Sequence, residues 1–202
     1  QHPETASSLN NLALLYLDMG DYPRVEPLFQ QALKINQDVL GEQHPESVSS
    51  LSNLAGLYHA MGDYHRAEPL FQQALKIRLD VLGDQHLDTA NSLNNLASLY
   101  QDMGDYLQAE PLYQQALKIR QTVLGDQHPD TAISLENLAM LYHDKGKYTQ
   151  AEPLYQQALK IKQDVFGDQH SETATNLNNL AKLYHDKFDY TRAEPLYQQA
   201  LK

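Results

Sequence analysis

Histidine offers the widest range of chemistry in this sequence, because its ring can ligate a metal or transfer a proton near neutral pH. Five of the nine histidines recur every 42 residues, at His2, His44, His86, His128 and His170. Packed helix axes lie about 8–10 Å apart, whereas a metal ligand lies at roughly 2 Å. Histidines one repeat apart therefore cannot share a metal ion. We interpret these five as helix caps and solvated side chains.

The other candidates for chemistry give no active site either. His143 and His185 are again one repeat apart, and His59 and His65 flank a turn without an obvious third ligand. No Ser-His-Asp grouping, glycine-rich phosphate loop or unusual carboxylate pair stands outside the repeat. A unique active site should interrupt the repeat pattern. The sequence therefore predicts a protein that is not an enzyme and has no cofactor or metal.

Composition and charge narrow the class of protein. Apolar residues make up 42% and charged residues 20% of the 202 residues, which is compatible with a folded, soluble chain. Cysteine is absent, so disulfides and cysteine zinc sites are excluded. The net charge of −11 argues against binding to nucleic acid or an anionic membrane. No apolar run reaches transmembrane length and no signal peptide is visible, so we expect a cytoplasmic location.

The period of 42 residues divides the chain into four complete copies and a shorter fifth. Their predicted bounds are 2–43, 44–85, 86–127, 128–169 and 170–202. One copy cannot bury its apolar surface alone, whereas stacked copies can, so we predict a single all-α array over 1–202. The fifth copy stops inside its second helix. Since the chain lacks an initiator Met, we interpret it as a fragment of a longer protein.

Each copy is predicted to form two antiparallel helices, A and B. In the first copy helix A runs from about Pro3 to Met19, and Gly20 ends it in a left-handed conformation. Helix B follows the N-cap residue Asp21 and extends to about Leu40. The apolar stripes are Leu9, Leu12, Ala13 and Tyr16 in helix A and Val25, Leu28, Phe29, Ala32 and Ile35 in helix B.

Two features depart from simple helix rules. Pro27 and its equivalents lie inside helix B, where we expect a fixed bend that sets the curvature of the array. Phe188 replaces the glycine that ends helix A in the other copies. Because phenylalanine is poorly suited to a left-handed backbone, we expect either an altered turn or strain, and favour the altered turn. An exposed Phe188 could also mark a contact site.

These patterns resemble the tetratricopeptide repeat family, across the whole chain. The matching residues are Leu9, Leu12, Ala13, Tyr16, Gly20, Tyr22, Val25, Phe29 and Ala32, with equivalents in all five copies. A leucine stands where the family usually has tryptophan, and Gln37 stands where it usually has proline. The period of 42 rather than 34 implies a longer helix B and resembles the kinesin-light-chain-like subclass. Near-identical copies resemble bacterial, especially cyanobacterial, arrays. The resemblance implies a right-handed α-solenoid.

The family binds extended peptides or partner helices on its concave face, which helix A lines. A second stripe on helix A, opposite the apolar one, contains Ser7, Asn11, Leu14 and Asp18. An asparagine recurs at Asn11, Asn53, Asn95, Asn137 and Asn179. In the family this position contacts bound peptide, since an amide can pair with a peptide backbone. Alternatively, each asparagine bonds to the neighbouring helix A and pins the stack. Both interpretations stay open.

Other positions on this face vary while the core does not, which is consistent either with a ligand site or with drift. The further candidate binding residues are His59, Ser98, Gln101, Met140, His143, Lys182 and His185. The face lacks the paired Lys and Arg that hold a peptide carboxylate, and Asp recurs nearby, so we predict a neutral or basic ligand. The net charge runs from −4 in 1–43 to 0 in 170–202, which places the basic end of a polarised ligand toward the N-terminus.

The predicted function is a non-catalytic scaffold that binds a protein or extended peptide through the concave helix-A face. Two alternatives stay open. One is a structural array that self-associates head to tail through uncapped ends. The other is the sensor or recruitment part of a larger signalling enzyme, as the resemblance also allows.

Overall fold

The computed structural model describes residues 2–201, except for the side chain of Pro3. The described residues form ten α-helices and no β-strand, which confirms the all-α prediction. Contacts divide the chain into two compact units, Gln1–Met103 and Gly104–Lys202. None of the helices in the described range is long and apolar enough to cross a membrane. The prediction of one continuous array over 1–202 stays a prediction.

The first unit contains helices A and B of two copies and helix A of the third. Its helices are α1 (Pro3–Asp18), α2 (Tyr22–Leu40), α3 (Pro45–Ala60), α4 (Tyr64–Leu82) and α5 (Leu87–Asp102). Each helix packs against the next one in the chain, and α3 also contacts α5. Helices A of the second and third copies thus contact each other directly, and Leu54 and Leu57 of α3 are both buried.

The second unit follows the same plan from helix B of the third copy onward. Its helices are α6 (Tyr106–Leu124), α7 (Pro129–Asp144), α8 (Tyr148–Phe166), α9 (Ser171–Asp186) and α10 (Tyr190–Ala200). Consecutive helices pack against each other here as well. Helix B continues through each internal proline, beginning with Pro27 in α2. The predicted bend at these prolines stays a prediction.

The recurring histidines start helix A in every copy. The ring Nδ1 accepts a hydrogen bond from the N–H two residues later, as in His44 to Glu46 at 3.2 Å. The other capping pairs are His2–Glu4, His86–Asp88, His128–Asp130 and His170–Glu172. An accepting Nδ1 leaves the proton of the neutral ring on Nε2. Capping therefore accounts for these five histidines, as the sequence predicts.

The residue that ends helix A has a left-handed φ in all five copies, including the one with Phe188. Phe188 adopts a φ of 60°, close to the 74° of Gly62. Its N–H donates to the carbonyl of His185 at 2.9 Å, as that of Gly62 does to His59. The altered turn that we favoured from the sequence is therefore wrong. The hydrogen bonds that close the turn hold a bulky residue in the left-handed region, with its side chain 79% exposed.

Neighbouring copies are joined by a polar network that the sequence analysis missed. Glu26 in helix B accepts hydrogen bonds from the Tyr58 hydroxyl at 2.8 Å and the Arg66 guanidinium at 3.0 Å, both in the next copy. Arg66 also stacks over the Tyr58 ring, 4.0 Å from its centroid. The equivalent Tyr–Glu pairs are Tyr100–Glu68, Tyr142–Glu110 and Tyr184–Glu152. This network explains why Glu and Tyr recur at these positions.

A second tie between copies lies at Asn36 and its equivalents, which are polar and mostly buried. Asn36 donates to Ser50 at 3.0 Å, and Arg78 donates to Ser92 at 2.7 Å. In the fourth copy the residue is Lys162, which is 2% exposed. Its ammonium group contacts Glu136 at 2.7 Å and Glu172 at 2.9 Å. This buried charge cluster replaces the neutral Ser acceptor of the earlier copies.

Helix B of the fourth copy lacks a side-chain cap, which gives a first testable prediction. Asp63 accepts from the N–H of Arg66 at 3.2 Å, and Asp105 and Asp189 cap in the same way. Asp21 occupies the predicted N-cap position of the first copy, but its side chain makes no cap bond. Lys147, at the equivalent position, has no acceptor and makes no side-chain cap bond. Lys147→Asp should raise the free energy of unfolding by about 1 kcal/mol in urea titrations.

Two further substitutions separate capping from charge. Lys147→Ser restores a cap without a carboxylate and should also stabilise the protein, whereas Lys147→Met should not. A gain in Lys147→Met equal to that in Lys147→Asp would show that charge alone is responsible.

Candidate binding groove

A groove of about 360 Å³ runs along the helix-A side of the first unit. Its lining residues are Leu14, Leu17, Phe29, Ser52, Asn53, Gly56, His59, Phe71, Asn94, Asn95 and Ser98. The walls come from α1, α3 and α5. Two aromatic residues of helix B, Phe29 and Phe71, lie at its base and are 1% and 3% exposed. Its volume is within the range typical of ligand sites.

A second open cavity of about 590 Å³ adjoins this groove and shares Gly56 and His59 with it. Its remaining lining residues are Ala60, Gly62, Tyr64 and Asp102. Together the two cavities extend from Leu14 and the asparagine side chains to the last turns of α3 and α5. We call this combined surface the unit-1 groove.

The unit-1 groove contains four of the predicted binding residues: Asn53, His59, Asn95 and Ser98. All four are half-buried. No hydrogen bond joins the side-chain amide of Asn53 or Asn95 to another residue within 2–201. Both amides are therefore able to donate to and accept from a bound backbone.

His59 pairs with an acid from the next copy. Its Nε2 lies 2.6 Å from Oδ2 of Asp102, whose side chain is 53% exposed. The ring packs edge-on against Tyr64 and Phe71, with centroids 5.9 Å and 6.3 Å away. Packing and the hydrogen bond thus fix the His59 ring at the side of the groove, while Asp102 keeps an accessible oxygen.

The second unit repeats this pair between α7 and α9. Nε2 of His143 lies 2.9 Å from Oδ2 of Asp186, and Nδ1 of His185 lies 3.2 Å from Oδ1. Hydrogen bonds to His185 and His143 hold the pKa of Asp186 below its usual range. Asp186 is therefore a carboxylate at neutral pH.

The remaining predicted residues differ in accessibility. Met140 is 41% exposed, and Lys182 is also exposed. Asn137 and Asn179 are half-buried, whereas Asn11 is exposed on α1 and does not line the groove. Gln101 is only 8% exposed, so its side chain offers little surface to a ligand.

Sequence reasoning missed several lining residues. Ser52 and Asn94 lie beside the asparagine column, and their helical spacing from Asn53 and Asn95 could have placed them there. Phe29 and Phe71 were assigned only to the core. Of the stripe beginning at Ser7, the equivalent Ser49 instead lines a separate cavity with Val48 and Arg78. The groove therefore starts further along helix A than the stripe suggested.

A tetratricopeptide repeat family model matches residues 4–80, 46–122, 88–164 and 133–202. BtubC (BKLC) from P. vanneervenii, known from a crystal structure, is 27% identical to this chain and superimposes with a TM-score of 0.83. The match covers 98% of this chain and 79% of BtubC. Nearly identical TPR-like repeats from Podosopora anserina, described as those of a kinesin light chain, are 27% identical with a TM-score of 0.81. That match covers 99% of this chain and 95% of the Podosopora anserina chain. No curated protein matches.

The family model covers nearly the whole sequence, and these structures share the fold that the helix pairs form. The kinesin-light-chain-like character predicted from the long repeat is therefore confirmed. The chain belongs to the tetratricopeptide repeat family, whose members generally act as scaffolds for protein–protein interaction.

Proposed function

We propose that this protein is a non-catalytic scaffold that binds an extended peptide segment of a partner protein along the helix-A face. The observation that carries the proposal is the pair of amides of Asn53 and Asn95. They lie in the unit-1 groove without partners among the described residues. Two amides that lie one repeat apart can form hydrogen bonds with a peptide backbone whatever its side chains are.

Because the amides of Asn53 and Asn95 have no hydrogen-bond partner among the described residues, ligand binding is favoured over pinning of the stack in this unit. The stack already has other ties, such as the Glu26–Tyr58 hydrogen bond and the Asn36–Ser50 hydrogen bond. An unpaired amide costs little while it is hydrated, and it gains a partner when a peptide binds.

Charge supports a neutral or basic partner segment. Residues 1–103 contain five Lys and Arg against thirteen Asp and Glu, a formal net charge of −8. Residues 104–202 contain ten against thirteen, a net charge of −3. Neither Lys nor Arg is among the residues that line the unit-1 groove. A basic segment would therefore be attracted to the first unit, and an acidic one repelled.

The test is selection of peptides from a random library against the parent protein, followed by affinity measurement with the double variant Asn53→Ala/Asn95→Ala. Each lost hydrogen bond should cost about 1 kcal/mol, so the variant should bind roughly thirtyfold more weakly. Circular dichroism should show unchanged helicity, because both side chains face the groove.

The matched control is Gln31→Ala/Gln73→Ala, which removes two exposed amides from α2 and α4 outside the groove. It should bind the selected peptides like the parent. Peptides that bind the asparagine variant as tightly as the parent, or the absence of any selected peptide, would contradict the proposal.

A further inference from the structure

Gly56 is the unusual residue of the unit-1 groove. It lies inside α3, where glycine is the least favourable residue after proline. The other copies have Leu14, Ser98, Met140 and Lys182 at this position. A Cβ atom built at Gly56 would meet no atom within 4 Å. Neither close packing nor the backbone therefore requires glycine, and its effect is to leave open space.

The open space joins the two cavities of the groove, because Gly56 lines both. On one side the space is bounded by Leu14 and by the rings of Phe29 and Phe71. On the other side are Tyr64 and the Asp102 carboxylate. Polar residues such as Asn53 and Asn95 line the first cavity as well. A ligand group that passes Gly56 thus leaves a surface of mixed polarity and reaches the Asp102 carboxylate.

The acidic end is suited to a cation for two reasons. Asp102 uses Oδ2 for His59, and a carboxylate can accept further hydrogen bonds. The Tyr64 ring offers a face for cation–π contact. Neither Lys nor Arg is among the lining residues to compete.

We propose that Gly56 opens a subsite for one Lys or Arg side chain of the bound peptide. The aliphatic stem of that side chain crosses the open space at Gly56 beside the exposed Leu14, and its charged head binds Asp102. Lys and Arg combine a flexible apolar stem with a cationic head, which suits an open space that ends at a carboxylate. The inference rests on the proposed function, because Asn53 and Asn95 hold the backbone of the same peptide.

The fourth copy lacks this open space. Met140 replaces Gly56 there, with a side chain 41% exposed, and Lys182 takes the place of Ser98 in the following copy. The His143–Asp186 pair is retained. The second unit thus keeps the acidic group but has a side chain in place of the glycine and a nearby positive charge. The subsite is specific to the second and third copies.

The probe is a positional library of capped nonapeptides in an alanine–serine background, in which each position in turn is Lys, Arg, norleucine or Glu. The parent should favour Lys or Arg over norleucine by about tenfold at one position. Gly56→Met should lower the affinity for those peptides about tenfold. The same variant should raise the midpoint of thermal unfolding by about 2–4 °C, because methionine favours the helix.

Two further variants distinguish the effect of the open space at Gly56 from the effect of the charge of Asp102. Gly56→Ala adds only a methyl group, so it should stabilise the helix and keep the preference for Lys and Arg. Asp102→Asn should abolish that preference while norleucine peptides bind as before.

The outcomes distinguish this inference from the proposed function. Peptides that lose affinity in Asn53→Ala/Asn95→Ala but show no preference for Lys or Arg would overturn the subsite alone. Binding unchanged in Gly56→Met would do the same. Binding that is indifferent to the asparagine changes, or no binding to the parent, would overturn both proposals.

Discussion

Replacing Glu136 with alanine should lower the free energy of unfolding by about 3 kcal/mol, the largest effect expected of a single substitution here. The Lys162 ammonium lies 2.7 Å from Glu136, and the two side chains are only 2% and 12% exposed. Asn176 donates to the same carboxylate at 2.6 Å. Removal of Glu136 therefore leaves a buried cation short of its main counter-charge.

Glu172 limits the loss but does not prevent it. It contacts Lys162 at 2.9 Å, but its side chain is 49% exposed, so solvent screens its charge. Burial raises the pKa of Glu136 in spite of the adjacent ammonium, which indicates how strongly the site is shielded from water. Urea unfolding followed by circular dichroism measures the difference between parent and variant.

The earlier copies supply a matched replacement for the whole cluster. Between the second and third copies the equivalent residues are Ser52, Arg78 and Ser92, and the Arg78 guanidinium donates to Ser92 at 2.7 Å. The triple variant Glu136→Ser/Lys162→Arg/Asn176→Ser recreates that arrangement. It should lie within about 1 kcal/mol of the parent, because the buried cation regains a hydrogen-bond partner. If the triple variant is as unstable as Glu136→Ala, the buried charge is not the cause.

The fold follows from local signals that recur along the chain. The capping histidine and the apolar stripes are present in every copy, proline follows the histidine in three copies, and glycine ends helix A in four. These signals specify where the helices begin, turn and pack. The same helical spacing places Asn53 and Asn95 on the face that lines the groove. These features could be predicted because each depends on residues within one or two turns of the helix.

The ties between copies could not be predicted in the same way. Glu26 and Tyr58 are 32 residues apart and recur unchanged, so neither spacing nor variation links them. Lys162 is one of several charged residues in helix B, and lysine is rarely fully buried. The available signal was the joint departure of Glu136, Lys162 and Asn176 from the other copies. Similarly, the depth of the groove depends on Phe29 and Phe71, whose pattern indicates only a core.

Phe188→Gly should raise the free energy of unfolding by about 1 kcal/mol, although it removes an aromatic side chain. A left-handed conformation costs a residue other than glycine about 1–2 kcal/mol, and Phe188 has a φ of 60°. Glycine avoids this cost but has more freedom in the unfolded chain, which offsets part of the gain. The Phe188 ring is 79% exposed, and it makes only an edge contact with Tyr190, with ring centroids 6.4 Å apart. Its removal therefore causes little loss of packing.

Two variants isolate the backbone as the cause. Phe188→Ala removes the ring but keeps a Cβ atom in the left-handed region, so it should not stabilise the protein. Gly146→Phe puts phenylalanine at the equivalent turn of the fourth copy, where φ is 68°, and should destabilise it by about 1 kcal/mol. Thermal midpoints should shift by about 2–4 °C in the corresponding directions. Stabilisation by Phe188→Ala equal to that by Phe188→Gly would assign the effect to the exposed ring instead of the turn.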